Sequence, residues 1–446
     1  MFTFKASDKT KAYMVDGIKY VCENFKRRAP GTQSERDCQA FFKQELSKYA
    51  DKVIMEDFNL HPGAFMGFMR IAAALMLLSI GLYWVPQALE DKLQLALGNA
   101  HNAVFILFLV LPIVFTLFAL LMFIFEFMMY GEFVDFLFPK KVSRNVYAVR
   151  KPEGEVKRRI IIGGHADAAH EWTFSYHGGI YALGPVIFGS VLGLVVTLVV
   201  YLVRFIYFFT DACSVGKNRY PYLLAESAAW DKVGFAILVF IPFAIAIMFF
   251  INNKVVVDGA NDNLSACYAA IGVLKEMADN DFRLENTEVC CLISGSEEAG
   301  LRGAKAFAKK HKEELSDVET IAITLDTMRE IEQLQVYTRG CTGTVKDDEA
   351  VGDLLHEAGL NCGIDMPRAQ IYPGAVDAEG FSKYGLRACG FCGVNHDPKK
   401  YYHTREDTWT NISEECINLS LDICLEAVRL FDEKGGMAEY DAARAK

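Results

Sequence analysis

Residues 158–167 read Arg-Arg-Ile-Ile-Ile-Gly-Gly-His-Ala-Asp, an apolar run that ends in a glycine turn carrying a histidine and a carboxylate. A short apolar run that stops at a turn is typical of a strand buried in a sheet. Other strands are predicted at 53–55, 147–149, 289–293, 321–325 and 386–394, and helices at 12–50 (broken at 28–31), 263–278, 300–312 and 412–431. This alternation favours an α/β fold, with a mainly parallel or mixed sheet and helices on both faces. His165 and Asp167 then lie at a strand end, where such sheets build their sites.

Four further segments carry residues that bind metals or move protons. They are Gly-Ala-Asn-Asp-Asn at 259–263, Ser-Glu-Glu-Ala-Gly at 296–300, Thr-Leu-Asp at 324–326 and Tyr-His-Thr at 402–404. The candidate ligands are two imidazoles and three carboxylates: His165, Asp262, Glu298, Asp326 and His403. This mixed nitrogen and oxygen set suits zinc, and it exceeds what one tetrahedral ion needs. We therefore expect two zinc ions per chain, about 3.5–4 Å apart and bridged by Asp262.

Two acidic residues are candidates for roles off the metal. Glu297 stands beside Glu298 and could take a proton from an attacking water and return it to the leaving amine. The alternative is that Glu297 is a solvated carboxylate that only complements a helix dipole. Asp167 is expected to fix the ring of His165 or a neighbouring ligand, the alternative being a purely structural role.

Four hydrophobic blocks interrupt these segments, at 71–89, 104–129, 180–209 and 233–251. Each is long enough to cross a hydrocarbon core of roughly 30 Å. Only Glu126 and Arg204 are ionisable residues well inside them. We expect four membrane helices rather than four buried helices of a soluble core. The predicted division is one α/β domain made of 1–64, 133–178 and 253–446, with transmembrane hairpins at 65–132 and 179–252.

Charge and cysteine usage suggest where the α/β domain lies. Lysine and arginine are frequent in the N-terminal segment and in 130–179, and sparse in 90–103 and 210–232. The positive-inside rule then places both termini and the site in the cytoplasm, beneath a plasma membrane of bacterial type. The twelve cysteines show no disulfide spacing, which fits reduced thiols in the cytosol. A net charge of −10 and the lack of a basic stripe argue against nucleic acid as a partner.

The order of these motifs resembles metallopeptidase family twenty-eight of clan MH, which includes bacterial leucyl aminopeptidases, glutamate carboxypeptidase II and glutaminyl cyclase. Segments 29–32 and 376–381 are similar to two further elements of that family, Arg-x-Pro-Gly-Ser and Ser/Thr-Asp-x-x-x-Phe. The resemblance implies a three-layer zinc-exopeptidase domain. It also implies that His165 and Asp326 hold one zinc, that Glu298 and His403 hold the other, and that Asp262 bridges. Glu297 matches the general base of the family.

The resemblance gives Tyr402 a role as well, because some members place a tyrosine there against the tetrahedral oxyanion. Core packing is an equal alternative for this side chain. The two hydrophobic hairpins depart from the family pattern, so the resemblance implies least about how a substrate reaches the site.

We therefore expect a membrane-bound dinuclear zinc exopeptidase that hydrolyses peptide bonds, most simply an aminopeptidase. A carboxypeptidase or a glutaminyl cyclase on the same fold is the enzymatic alternative, and a catalytically inactive receptor or scaffold is the non-enzymatic one. The expected partners are a peptide substrate and the lipid bilayer.

Overall fold

The computed structural model describes residues 2–97, 101–215, 228–340, 342–370, 374–395 and 401–445. Its strands are β1 (Lys52–Leu60), β2 (Lys141–Arg150), β3 (Arg158–His165), β4 (His170–Trp172), β5 (Ile251–Val256), β6 (Thr287–Ser294), β7 (Glu319–Met328), β8 (Gln335–Arg339), β9 (Arg368–Gln370) and β10 (Arg387–Gly393). Its helices are α1 (Asp8–Asn24), α2 (Gln33–Leu46), α3 (Ala64–Leu97), α4 (His101–Met122), α5 (Thr173–Val215), α6 (Ala228–Ile237), α7 (Ile241–Met248), α8 (Ser265–Asp279), α9 (Arg302–His311), α10 (Glu349–Asn361), α11 (Asp377–Ser382), α12 (Glu414–Glu433) and α13 (Ala438–Arg444).

Strand β3, the stretch that opens the sequence argument, lies inside a mixed eight-stranded sheet of order β1-β2-β6-β3-β7-β10-β8-β9. β6, β3, β7 and β10 run parallel. β1 pairs antiparallel with β2, β2 with β6 and β8 with β10, whereas β9 runs parallel to β8. Because the four parallel strands share a direction, their carboxyl ends meet at one edge of the sheet. The expectation of a mixed α/β sheet is confirmed.

The three isoleucines of β3 show how the strand is buried on both faces. Ile160 and Ile162 pack into the core on the side of α1, α8 and α12, and Ile161 packs into the core on the side of α9 and α11. Successive side chains of a strand point to opposite faces, so an unbroken apolar run is what a doubly covered strand requires. The domain therefore has three layers, helices over sheet over helices.

The glycine that precedes His165 allows helix α8 to approach the end of β3. A Cβ on Gly164 would lie 3.0 Å from the Cβ of Ala266 and 3.1 Å from the backbone nitrogen of Cys267. The helix could not sit this close to a larger residue. This close packing carries the loop at 259–263, which leads into α8, towards His165.

Four described helical segments are long and apolar enough to cross a membrane: Ala64–Val85, Ile106–Met128, Thr173–Tyr207 and Trp230–Met248. At most 39% of the most apolar window of each is buried. Large apolar side chains point outward from them, among them Phe188 at 69% exposure and Phe235 at 64%. An apolar surface of this extent marks an interaction with lipid or protein, and it does not fit four buried helices of a soluble core.

The two ionisable residues of the predicted blocks are buried among side chains of the protein. Glu126 forms an ion pair of 2.9 Å with Arg302 at the start of α9, and it accepts a hydrogen bond from the backbone of Val134. Arg204 lies with its guanidinium carbon 4.2 Å from the centre of the Tyr83 ring. Glu126 is therefore paired inside the chain, and Arg204 packs against an aromatic ring.

Cysteines whose side chains the structure places are all free, and all but Cys362 are buried. Cys389 and Cys392 have a Cys-x-x-Cys spacing, yet they pack into the cores on opposite faces of β10. They cannot hold one ion or form one disulfide from opposite faces of a strand.

Candidate metal centre

Three of the predicted ligands meet at the ends of β3 and β7. The Nε2 atom of His165 lies 3.3 Å from Oδ1 of Asp262 and 3.7 Å from Oδ2 of Asp326. One ligand atom from each residue falls within 4.8 Å of the others, close enough to hold a single ion.

The remaining two ligands meet the other oxygen of Asp262. The Nε2 atom of His403 lies 2.9 Å from Oδ2 of Asp262 and 3.2 Å from Oε1 of Glu298. This second group also falls within 4.8 Å. Asp262 therefore stands between the two histidines with one oxygen towards each. A carboxylate that bridges two ions needs this arrangement.

The donor atoms of both groups are withdrawn from water, as residues that hold a cation are. Nε2 of His165 and Oε1 of Glu298 are buried and have no hydrogen-bond partner. Buried polar atoms without a partner are costly, and a buried charge needs a counter-charge or a metal. The two imidazoles and three carboxylates fit zinc in type and number.

The pKa shifts of the clustered acidic and histidine side chains also indicate a cation site. Burial raises the pKa of Glu298, and burial with the neighbouring carboxylates raises the pKa of Glu297 well above its usual range. Glu298 and Asp262 raise the pKa of His403 to about 10 against the opposing effect of burial. The pocket thus holds more negative charge than its histidines balance, which favours divalent cations.

Asp167 holds the turn that presents Glu297 and Glu298. Its Oδ1 accepts a hydrogen bond from the backbone nitrogen of Glu297 and its Oδ2 from that of Glu298, both at 3.0 Å. Its Oδ1 also lies 3.5 Å from Nδ1 of His165. One buried carboxylate thereby fixes the end of β3 relative to the turn after β6.

Asp407, which the sequence argument did not single out, holds the loop of Asp262. Its Oδ1 accepts hydrogen bonds from the backbone and side-chain nitrogens of Asn261, at 2.7 and 2.8 Å, and its Oδ2 accepts one from the backbone nitrogen of Asp262 at 3.2 Å. Nothing in the sequence separates this acid from its neighbour Glu406. Its only signal is that it follows His403 by four residues.

Asn263 joins the same loop to the end of β7. Its side-chain amide donates to the carbonyl of Leu325 at 2.9 Å, and its oxygen accepts from the backbone nitrogen of Thr327 at 3.1 Å. The hydroxyl of Thr327 in turn donates to Oδ1 of Asp326 at 2.7 Å. Asp262 and Asp326, far apart in sequence, are in this way fixed to one another.

Aromatic rings position His403. Tyr402 stacks on its imidazole at 4.1 Å, and Trp172 approaches it edge-on at 4.4 Å. The backbone nitrogen of Trp172 donates to the carbonyl of His403 at 2.8 Å. Trp172 ends β4, immediately before the third apolar helix, so that helix begins beside the metal centre.

Two residues of the N-terminal segment, Arg28 and Glu35, stabilise the loops of the site by hydrogen bonds. The fully buried Arg28 donates to the carbonyls of Ala166 at 2.9 Å and Asp258 at 2.7 Å. The carboxylate of Glu35 accepts from the hydroxyl of Ser296 at 2.7 Å. Segments that the two hairpins separate in sequence therefore meet at the metal centre.

Backbone strain is concentrated at the same place. Ser296, Leu301, Thr327 and His403 have positive φ angles of 55°, 59°, 51° and 52°. Such conformations cost on the order of 1–3 kcal/mol each and persist at functional sites, where the surrounding structure imposes them.

A small cavity of about 40 Å³ opens onto the two groups of ligands. Asp262, Glu297, Glu298, Asp326, Tyr402 and His403 line it. The rest of its wall includes Phe65, Met66 and Phe127, which belong to the first hydrophobic hairpin. The structure thus brings all the predicted site residues to one cavity or its immediate support.

Residues 213–428 match the model of Peptidase family M28. The chain is similar to this family over that segment. The matched segment contains Asp262, Glu298, Asp326 and His403, and His165 lies before it. The predicted family resemblance is confirmed. The comparison with curated proteins returned no match.

Solved structures share the fold. A leucine aminopeptidase precursor from Bacteroides thetaiotaomicron VPI-5482 is 12% identical in sequence. The match covers 96% of this chain and 99% of that protein, with a TM-score of 0.51. A glutaminyl cyclase from the same species is 10% identical and covers 95% and 99%, with a TM-score of 0.50. Identities this low show the fold alone.

The chain spans about half the length of another similar structure. An aminopeptidase from Aneurinibacillus sp. strain AM-1 is 20% identical in sequence. The match covers 65% of this chain and 48% of that protein, with a TM-score of 0.40.

Because Asp407 fixes the Asp262 loop by three hydrogen bonds, Asp407→Asn should weaken metal binding. An asparagine can accept through one oxygen only, so at least one backbone donor loses its partner. Loss of such a supporting residue typically costs 10–100-fold in metal affinity. Competition with a chelator measures this for zinc. Asp422→Asn, whose carboxylate accepts from Ala6 away from the site, is the matched control. Equal zinc affinities of the two variants would contradict this role of Asp407.

Proposed function

We propose that this chain is a membrane-embedded zinc exopeptidase, most simply an aminopeptidase. The observation that carries the proposal is the pair of histidine–carboxylate groups that share Asp262, on the fold of the M28 family. Glu297 stands beside them with Oε2 3.7 Å from Nε2 of His165. The retention of every ligand together with Glu297 favours an enzyme over an inactive receptor or scaffold.

His165 and Asp326 would hold one zinc ion, Glu298 and His403 a second, and Asp262 both. When bound, zinc supplies Lewis-acid polarisation of the scissile carbonyl and a lower pKa for water. The burial of these donors excludes bulk water and strengthens each electrostatic contact.

Glu297 is proposed to carry the proton of the reaction. It takes a proton from the water whose oxygen attacks the carbonyl carbon, and it gives that proton to the amine nitrogen as the carbon–nitrogen bond breaks. Asp167 is a positioning residue in this scheme, because it holds the backbone of Glu297 and Glu298. Tyr402 lines the same cavity and is proposed to donate to the oxyanion.

The domain division proposed from the sequence is supported by the sheet. β1 comes from 1–64, β2 and β3 from 133–178, and β6 to β10 from 253–446, and all of them join one sheet. The hairpins at 65–132 and 179–252 contain the four apolar helices, which are proposed to insert into a lipid bilayer.

We further propose that the peptidase domain is cytoplasmic, because basic residues flank the apolar helices on its side. Single cysteines placed in 140–160 or after 253 should be labelled by impermeant reagents only in inverted vesicles. Labelling in intact cells would place the domain outside and overturn this orientation.

The decisive test of activity is a panel of peptides on the purified full chain, with and without chelator. Peptides with a free amino terminus should be cleaved, peptides with a blocked amino terminus should not, and blocking the carboxyl terminus should have no effect. Chelation should abolish turnover and zinc should restore it. Cleavage that needs a free carboxyl terminus would establish a carboxypeptidase, and cyclisation of amino-terminal glutamine without hydrolysis would establish a cyclase. If no peptide in the panel reacts in a zinc-dependent way, the enzymatic proposal is wrong.

Two substitutions separate proton transfer from metal binding. Glu297→Gln removes the proton carrier but no proposed ligand, so the chain should keep two zinc ions and lose orders of magnitude in kcat. Asp262→Asn removes the bridge and should lose zinc itself. Zinc analysis beside turnover distinguishes the two. Near-normal kcat in Glu297→Gln, or one ion per fully active wild-type chain, would contradict the scheme.

A further inference from the structure

A cleft lies beside the metal centre, where the apolar helices join the α/β domain. Its volume is about 590 Å³, within the range of roughly 300–1,000 Å³ that is typical of ligand sites. The wall is formed by the loop at 27–32, the first turns of α3, the small sheet of β4 and β5, and the end of α7. The cleft is therefore large enough to hold a ligand of its own.

Three basic side chains line this cleft and give it a positive charge. Arg27, Arg70 and Lys141 are all exposed. Of the described residues in the lining, only Glu298 carries a carboxylate, and that side chain is a proposed metal ligand. A concave surface lined by charges of one sign concentrates ions of the opposite sign. The cleft therefore favours an anion.

His170, which belongs to the same wall, shows that the three charges act at one place. Burial lowers the pKa of its imidazole, and the positive charges of Arg27, Lys141 and Arg70 lower this pKa further. The stem of Lys141 also packs beside the N-terminal loop, since a Cβ on Gly31 would lie 2.9 Å from the Cβ of Lys141. The three cations thus surround a common space.

The hydrogen bonds of the two arginines leave their charge unbalanced. Arg70 donates to the carbonyls of Met248 and Ile251, both at 3.1 Å. Arg27 donates to the carbonyl of Lys254 at 3.5 Å, and neither arginine pairs with a carboxylate within the described ranges. Carbonyl oxygens are neutral acceptors, so these contacts hold the arginines in place without neutralising them.

Arg70 also marks the level of the cleft along the apolar helices. The first hydrophobic block begins at residue 71 and the last block ends at residue 251. The hydrogen bond from Arg70 to Ile251 joins these two limits. In the proposed bilayer this level is the boundary between hydrocarbon and headgroups, where long basic side chains reach the interface. Met69 and Ile71 extend the wall with apolar surface on the hydrocarbon side.

The cleft meets the metal centre at the side chain of Glu298. The Oε1 atom of Glu298, which faces Nε2 of His403 at 3.2 Å, is buried. An occupant of the cleft therefore touches Glu298 away from this atom and does not have to enter the space between the two groups of ligands. This geometry favours a ligand other than the peptide that is cleaved.

We propose that the cleft binds the phosphate of an anionic phospholipid, recognised by Arg27, Arg70 and Lys141. The proposal rests on the proposed insertion of the apolar helices into a bilayer, and it goes beyond the peptidase activity. The cytoplasmic leaflet carries anionic lipid, and basic pockets between membrane helices on that side bind anionic headgroups. Guanidinium groups match phosphate oxygens in geometry and charge. A lipid bound here joins the first and last apolar helices to the N-terminal loop, next to Glu298.

The test measures lipid binding to the purified full chain in detergent by native mass spectrometry. Dioleoylphosphatidylglycerol and dioleoylphosphatidylcholine have the same acyl chains and differ in net charge. The wild-type chain should retain one phosphatidylglycerol, with an affinity about ten-fold or more above that for phosphatidylcholine. Equal affinities for the two lipids would overturn the proposal.

Two double substitutions of equal charge locate the site. Arg27→Gln/Lys141→Gln should lower the affinity for phosphatidylglycerol about ten- to thirty-fold, because each basic side chain near a membrane surface contributes about 1 kcal/mol. Arg70 is left in place because its hydrogen bonds also join the helix ends. Lys151→Gln/Lys157→Gln is the matched control and should keep the wild-type affinity. Lys151 follows the far end of β2, about 30 Å along the strand from Lys141.

Thermal unfolding without lipid and zinc content show whether each variant has folded. An unchanged affinity in the folded cleft variant, or an equal loss in the control, would refute the site. If the cleft variant does not fold, the comparison of the two lipids on the wild-type chain still decides the proposal.

Two soluble competitors test the source of the anion. Glycerol 3-phosphate carries the phosphate without acyl chains, and an amidated peptide of glutamates carries carboxylates without a phosphate. Neither should displace phosphatidylglycerol at millimolar concentration. Displacement by glycerol 3-phosphate would assign the cleft to soluble phosphates, and displacement by the peptide would assign it to acidic peptides. Either outcome would overturn the lipid as the ligand.

Flotation separates failure of this proposal from failure of the proposed membrane insertion. If the chain floats with vesicles after a carbonate wash but binds both lipids equally, only the lipid site is wrong. If carbonate releases the chain from the vesicles, the helices are not inserted, and the membrane part of the proposed function fails as well.

Discussion

Two histidines from distant parts of the chain face the two oxygens of one buried carboxylate, Asp262, and most of the surrounding structure serves to keep them there. Asp407 and Asn263 fix the backbone of the Asp262 loop, and Gly164 lets the following helix approach the strand that ends in His165. A bridging carboxylate tolerates little displacement, because both of its oxygens must point correctly at once. The parallel strands meet this demand, since their ends are set by the hydrogen bonds of the sheet rather than by flexible loops.

The two hairpins can be inserted into this domain because each leaves and re-enters it at neighbouring points. Leu60 at the end of β1 pairs with Lys141 at the start of β2, and His61 and Phe138 are linked at 2.6 Å across the first insertion. Trp172 pairs with Ile251 in the small sheet of β4 and β5, which closes the second insertion. Since the ends of each insertion are already paired, the sheet keeps its register whatever lies between them. The cost of a longer connection rises only slowly with its length.

Local patterns in the sequence were sufficient to predict the main strands and the four apolar helices, and they indicated the candidate ligands that the fold brings together. The apolar run at 160–162 and the glycine turn after it follow directly from burial on both faces of a sheet. The sequence did not reveal Asp407, because its role depends on a loop 146 residues away, and no periodicity marks such a contact. Strands β4, β5, β8 and β9 were also missed, since they are short or partly exposed and lack an apolar run. Asp167 was expected to hold the ring of His165 or a neighbour, and its main partners are the backbone nitrogens of Glu297 and Glu298.

The first hairpin packs directly against the candidate metal centre. Arg302 begins the helix that follows the Glu297 turn, and it pairs with Glu126, which is fully buried at the end of the second apolar segment, and with Asp135 just beyond it. Breaking a buried ion pair by removing one partner costs about 3–5 kcal/mol, because the remaining charge is left uncompensated. Phe65, at the other end of the hairpin, packs so closely on Gly300 that a Cβ there would meet its ring at 2.8 Å. Any movement of the hairpin must therefore shift the turn that carries Glu297 and Glu298. The apolar helices of this hairpin therefore form part of the wall of the candidate metal centre and stabilise the turn that carries Glu297 and Glu298.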